Sequence, residues 1–172
     1  MGLIFDPFTK EGPEEWLLTD IKLWYAHVGL WFQAVEERYG LDVATNLDRA
    51  VWEKYAPLEA GRIRAKLGLP ELAGTIGLAQ ALRCRMGFHL NEEGVEVISD
   101  ERLRLVTKSC RVQLARQRKG LPQLSCREIA FAEFDAFARA IDLRIRVRCC
   151  YSPPETQGEY WCEWDFVLRG AG

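Results

Sequence analysis

The sequence predicts an α+β domain, in which N-terminal helices pack on an antiparallel sheet of four or five strands. Three observations carry that prediction. Leu17, Ile21, Trp24, Val28, Trp31, Val35 and Tyr39 recur at helical spacing until Gly40. Near the other end, Leu143, Ile145, Val147 and Cys149 alternate with Arg144, Arg146 and Arg148; beyond a loop from Pro153 to Gly158, Cys162, Trp164, Phe166 and Leu168 alternate with Glu163 and Asp165. The chain has 172 residues, 48% hydrophobic and 28% charged, which is the size and composition of one globular domain. A chain of this length buries roughly 70% of its unfolded surface and needs no staples. The reading is therefore one domain over 1–172, mainly helical over 1–82, with the sheet part over 83–172.

Each element follows from local chemistry. Residues 1–12 read as an irregular lead around Asp6-Pro7. Pro13 suits the first turn of a helix, with Glu14 and Glu15 at its positive end. Asp42 is the expected cap of a second helix, from Val43 to about Tyr55, ended near Pro57. A third runs from Leu58 to Leu67 and closes at Gly68. Pro70 opens a fourth, about Glu71 to Leu82, weakened by Gly74 and Gly77. Cys84, Met86, Phe88 and Leu90 then alternate with Arg83, Arg85 and His89, which predicts a half-buried strand with its arginines and His89 on the surface. Asn91 to Gly94 reads as a hairpin turn, Val95 to Ile98 as a strand, Asp100 as a turn, and Leu103, Leu105 and Thr107 as one face of the next strand. A helix follows over about 110–119. Another spans about 126–141, with Ser125 and Glu128 spaced as a capping box. In the last hairpin, Cys149 opposite Cys162 sets Arg148 against Glu163 and Arg146 against Asp165; a slip of two residues would keep the same faces.

Composition narrows the function classes. No stretch approaches the ~20 apolar residues of a membrane span. The start has no basic leader region, and Asp6 occupies the position where myristoylation wants Ser or Thr. The expectation is a cytoplasmic protein with no membrane partner, whose six cysteines are thiols or metal ligands rather than disulfides. The net charge of −2 divides unevenly: −6 over 1–60, +7 over 61–150 and −3 over the rest. No nucleic-acid motif accompanies the basic middle, so nucleic acid is not the expected partner.

Cys110 and Cys126 each follow a Ser and precede an Arg at a predicted helix start, where free amides favour a thiolate. With Cys110 or Cys126 as nucleophile and His27 as base, oriented by Glu36 or Asp20, the chain would be a thiol-dependent hydrolase of a small cyclic or amide substrate. Cys126, Cys149 or Cys150, and Cys162 are three soft ligands at one end of the sheet, the set a structural zinc wants. Cys149 and Cys150 point to opposite faces of a regular strand, so only one joins unless the strand is bulged.

The run from Cys126 through the strand ending Cys149-Cys150 to Tyr160-Trp161-Cys162-Glu163-Trp164-Asp165-Phe166-Val167 resembles the C-terminal half of vinyl-4-reductase-type domains, found in ligand-sensing regulators and similar to trafficking subunits of the TRAPP complex. That resemblance implies zinc held by Cys126, Cys150 and Cys162. Val147 stands where an acidic ligand is expected, leaving Cys149 or Cys110 to replace it. The whole chain also resembles a family of small uncharacterised prokaryotic cytosolic proteins, through His27-Val28-Gly29-Leu30-Trp31-Phe32, Leu47-Asp48-Arg49-Ala50-Val51-Trp52 and Cys110-Arg111-Val112-Gln113-Leu114-Ala115-Arg116. The cysteine-bearing half is similar to L-2-amino-thiazoline-4-carboxylate hydrolase-like proteins. The leading expectation is a small-molecule-binding, sensory domain. Its pocket would lie between Trp24, His27, Trp31 and Phe32 and the sheet, with Gln113 and Arg116 as polar contacts. An exposed aromatic helix face would add a homodimer.

Overall fold

The computed structural model describes residues 12–155 and 158–169; the lead around Asp6-Pro7 lies outside them. Among these residues the fold is α+β, with five α-helices and one four-stranded antiparallel sheet. Helix α1 (Pro13–Tyr39) has the predicted bounds, with Pro13 in its first turn and Gly40 at φ 88 as its stop. Helix α2 runs unbroken over Leu41–Leu67, with Pro57 inside it, where the sequence predicts two helices. An interior proline removes one backbone bond and costs about 3 kcal/mol. Ala44, Ala56 and Ala60 are fully covered, and α2 packs closely along α5, so tertiary burial outweighs the breaker.

Helix α3 (Gly74–Arg83) starts at a glycine with φ 65, whose N–H donates to Asp142 Oδ2 at 3.0 Å. The predicted strand at 84–90 does not form. Cys84 closes α3, and Phe88, His89 and Leu90 each donate to the carbonyl three residues back, making a 3-10 turn over Gly87–His89. His89 is exposed as expected, but Arg85 is buried.

Strands β1 (Glu92–Ser99), β2 (Arg102–Ser109), β3 (Ile145–Tyr151) and β4 (Cys162–Leu168) lie in the order β1-β2-β4-β3. Strand β1 begins inside the predicted hairpin turn. Helix α4 covers Arg111–Arg118 and α5 covers Arg127–Ile141. Ser125 is not the cap of α5: Cys126 holds that position without a side-chain bond, and the approach is pinned instead by Gln113, which bonds both the N–H and the C=O of Leu124.

In the last hairpin Cys149 pairs with Trp164, Arg148 with Asp165 and Arg146 with Val167, two residues away from the predicted register. The reason is electrostatic. Asp165 is fully covered on the outer face, where Arg102 Nη2 at 2.9 Å and Arg148 Nη2 at 2.5 Å both reach it. Burial opposes ionisation of Asp165, and these guanidiniums outweigh it, holding the carboxyl below its ordinary range. The inner face stacks two apolar rows, Val95-Leu105-Trp164-Cys149 and Val97-Leu103-Phe166-Val147. Phe134 and Phe137 of α5 and Leu78 and Leu82 of α3 share one buried core with these rows, except for the exposed Val97, and Phe134 is edge-on to Trp164 at 5.2 Å. The third row, Glu93-Thr107-Cys162, extends past that core.

Candidate functional site

Above this third row lies a cavity of about 430 Å³. Helix periodicity builds its walls. Tyr25, Val28, Phe32 and Gly29 share one side of α1, Asp48 and Trp52 lie one turn apart on α2, and Ile129, Ala130, Glu133 and Phe134 come from α5. Glu93, Thr107 and Cys162 form the floor, with Cys110 and Cys126 beside it at the starts of α4 and α5. Arg118 and Lys119, both exposed, line the solvent side.

One end of this cavity is polar and buried. Arg85, 3% exposed, donates through Nη2 to Glu133 Oε1 and stacks over the Phe134 ring, 4.7 Å from its centroid. Its Nε and Nη1 have no hydrogen-bond partner among the described residues. Glu93 Oε1 accepts from Asn91 Nδ2 at 2.8 Å, while Oε2 has no hydrogen bond. Arg85 Nη1 and Glu93 Oε2 stand 3.7 Å apart, an ion pair longer than a hydrogen bond. A buried polar atom left unbonded costs about 1–3 kcal/mol, so three at one place need an explanation. The backbone approaches closely here: a Cβ on Gly87 would lie 3.1 Å from Tyr25 Oη and 3.6 Å from Arg85 Nη2. Burial pushes the Tyr25 hydroxyl well above its ordinary range, against the opposing pull of Arg85. Burial likewise raises Asp48 to about 6, although a hydrogen bond with Trp52 opposes it.

The three cavity thiols are pushed up, not down. Burial raises Cys126 to about 12 and Cys162 to about 11, and raises Cys110 despite backbone bonds from Val112 and Gln113. Desolvation thus overrides the helix-start effect that the sequence suggests for Cys110 and Cys126. His27 lies on the exposed side of α1, its ring 6.4 Å from that of Trp24, and is not part of the cavity wall. Trp24 and Trp31 are 51% and 64% exposed on the outer side; Phe32 alone of the expected aromatic trio faces the cavity. Gln113 is spent on Leu124 and on Cys126 Sγ at 3.0 Å. Arg116 is engaged bidentately by Glu36 at 2.6 and 2.8 Å and by Pro122 O, so its contacts join α4 to α1.

The expected metal set is not gathered. Strand β3 is irregular between Cys149 and Tyr151, yet Cys150 stays with Asp165, to whose carboxylate its thiol bonds. Cys126 and Cys162 line the cavity with Cys110, and Cys150 does not. Among the described residues no three His, Cys, Asp or Glu side chains are placed to hold a metal ion. A broader groove along α2 and α5 is lined by exposed charged side chains, Glu53, Arg127, Glu128 and Arg139, and by the exposed Phe131 and Leu143.

Sequence reasoning missed Arg85, Glu93, Glu133, Asp48 and Tyr25. For Arg85, Glu93 and Glu133 the signal is the pairing of Arg85 with acids 8 and 48 residues along the chain, which no local pattern displays. A family model described as a family of unknown function, DUF6125, matches residues 8–168. Neither a curated protein nor a solved structure matches the chain.

Proposed function

The chain belongs to this family, which assigns no activity, and from the geometry we propose that it is a small-molecule-binding domain whose site is the cavity under α1. The observation that supports this most is the buried Arg85–Glu93 ion pair, too long for a hydrogen bond and with three of its polar atoms unbonded, in the wall of a mostly apolar chamber. Binding pockets have this make-up: a mostly apolar lining, a few hundred Å³ of space, and few convergent polar groups that fix orientation. No helix among the described residues is long and apolar enough to cross a membrane.

A cavity-blocking variant tests the reading. Ala130→Trp places an indole in the chamber; Ala115→Trp does so from α4. Apolar-bodied fragments should bind the parent and lose at least tenfold in affinity to either variant, each checked by circular dichroism for its native fold. Equal binding to parent and folded variants would end the proposal.

The same reading includes self-association. Leu17, Trp24 and Trp31 recur every seven residues on the outer side of α1, each more than half exposed. That spacing suits pairing with a second helix. Sedimentation velocity should give a dimer for the parent and a monomer for the Trp24→Glu, Trp31→Glu double variant; a monomeric parent would contradict it.

A further inference from the structure

Resting on the cavity reading, we infer that the site takes an uncharged ligand, whose amide or hydroxyl group accepts from Arg85 and donates to Glu93. The inventory of unused atoms leads there. Arg85 offers two free donor groups, Nε and Nη1, and no acceptor; Glu93 Oε2 offers an acceptor and no donor. Arg85 Nη1 and Glu93 Oε2 stand 3.7 Å apart and are covered, so one hydroxyl or one carboxamide bridges them once the pair parts to admit it. A group that only accepts or only donates satisfies one partner and leaves the other dry.

At the Arg85–Glu93 end, charge decides against the alternatives; the other cations of the lining, Arg111, Arg116, Arg118 and Lys119, all come from α4 and its end. A carboxylate or phosphate would meet Arg85 but lie against Glu93, with Glu133 on the far side of the same guanidinium. An ammonium would bond Glu93 but face Arg85. Between buried groups such juxtapositions are weakly screened. A neutral carboxamide, lactam, urea or alcohol meets both charges with the correct end of its dipole. The apolar part of the wall, which includes Phe32, Trp52, Ile129 and Phe134, fits an apolar body. The neighbouring thiols, held protonated by burial, add no charge; the other carboxylate of the lining, Asp48, lies on the α2 wall one turn from Trp52.

Four probes of one shape test this: cyclohexanecarboxamide, cyclohexanecarboxylate, cyclohexylmethylammonium and methylcyclohexane, titrated by ligand-detected nuclear magnetic resonance at pH 7.5. The carboxamide should bind at least tenfold more tightly than each of the others, as expected where a buried pair is left unsatisfied by the wrong group. Glu93→Gln keeps the bond to Asn91 and supplies a donor, so it should narrow the gap between carboxamide and carboxylate at least fivefold. Carboxylate or ammonium binding as tightly as the carboxamide would overturn the ligand class and leave the cavity reading standing. An unchanged gap in Glu93→Gln would overturn the role of Glu93. Failure of all four probes to bind would overturn the ligand class and the cavity reading together.

Discussion

Asp48 shows how burial alone gives a side chain a measurable signature. Its folded pKa of about 6 lies above the ordinary 3.8, so ionisation is harder in the folded state than in the unfolded one. The sign follows: its contribution to stability is whole below about pH 4 and is lost as pH rises through 6. At 1.36 kcal/mol per unit, discounted for partial exposure, the loss is ~1–3 kcal/mol. Asp48→Asn keeps an acceptor for Trp52 and cannot ionise. Urea denaturation should find it more stable than the parent by that amount at pH 7.5, with the difference fading toward pH 4. A constant difference across this range would show that Asp48 ionises freely.

The cysteines make a second residue-scale prediction. Only thiolates alkylate quickly, and burial keeps Cys126 and Cys162 protonated. Brief iodoacetamide treatment at pH 7.5, read by mass spectrometry, should modify the exposed Cys84 first and Cys126 and Cys162 at least tenfold more slowly. Fast alkylation of Cys126 would restore it as a nucleophile. The sequence makes Cys126 look reactive because its helix start is local, whereas the cavity that buries it is walled by α1 and α2, far along the chain.

At the scale of elements, helical periodicity and most of the alternation are legible, and the alternation of 84–90 misleads. Helix α1, strands β2, β3 and β4, and both halves of the last hairpin follow their patterns. The run 84–90 has the alternation of a strand, yet three local bonds wind it into a 3-10 turn, and Glu59 and Glu133 from α2 and α5 hold Met86 N and Arg85 inward. That single misreading hid the polar end of the cavity by assigning Arg85 to the surface. Two-residue register was equally illegible, because Arg102, the third member of the Asp165 cluster, comes from β2. Glycines separate two cases that the sequence treats alike. A Cβ on Gly77 would lie 2.3 Å from Ala73 Cβ, whereas one on Gly61 of α2 meets nothing within 4 Å. Gly77→Ala should destabilise by ~1–3 kcal/mol despite alanine's better helix propensity, and Gly61→Ala should stabilise by ~0.5–1 kcal/mol. Chemical denaturation of the two variants decides both signs.

Across the whole molecule, α1 is the roof of the chamber and is held differently from the other elements. It packs mainly on α2, while its outer side leaves Leu23, Trp24, Leu30 and Trp31 more than half exposed. Its far end is tied to α4 by Glu36, whose carboxyl is held below its ordinary range chiefly by the bond from Arg116. Glu36→Gln should cost ~1–3 kcal/mol, since Arg116 is buried and loses its charged partner. Hydrogen exchange should then quicken in α1 more than in α5. Uniform quickening would mean that the pair supports the global fold rather than the roof.

The account stands most directly on whether ligands enter that chamber. Trp52 and Trp161 line it, and Trp24 and Trp31 lie on the outer side of α1. Titrating ¹⁵N-labelled protein with cyclohexanecarboxamide should shift the indole resonances of Trp52 and Trp161 along one saturable curve and leave those of Trp24 and Trp31 in place. Shifts confined to Trp24 and Trp31, or no shift at Trp52 and Trp161 up to the solubility of the probe, would contradict it.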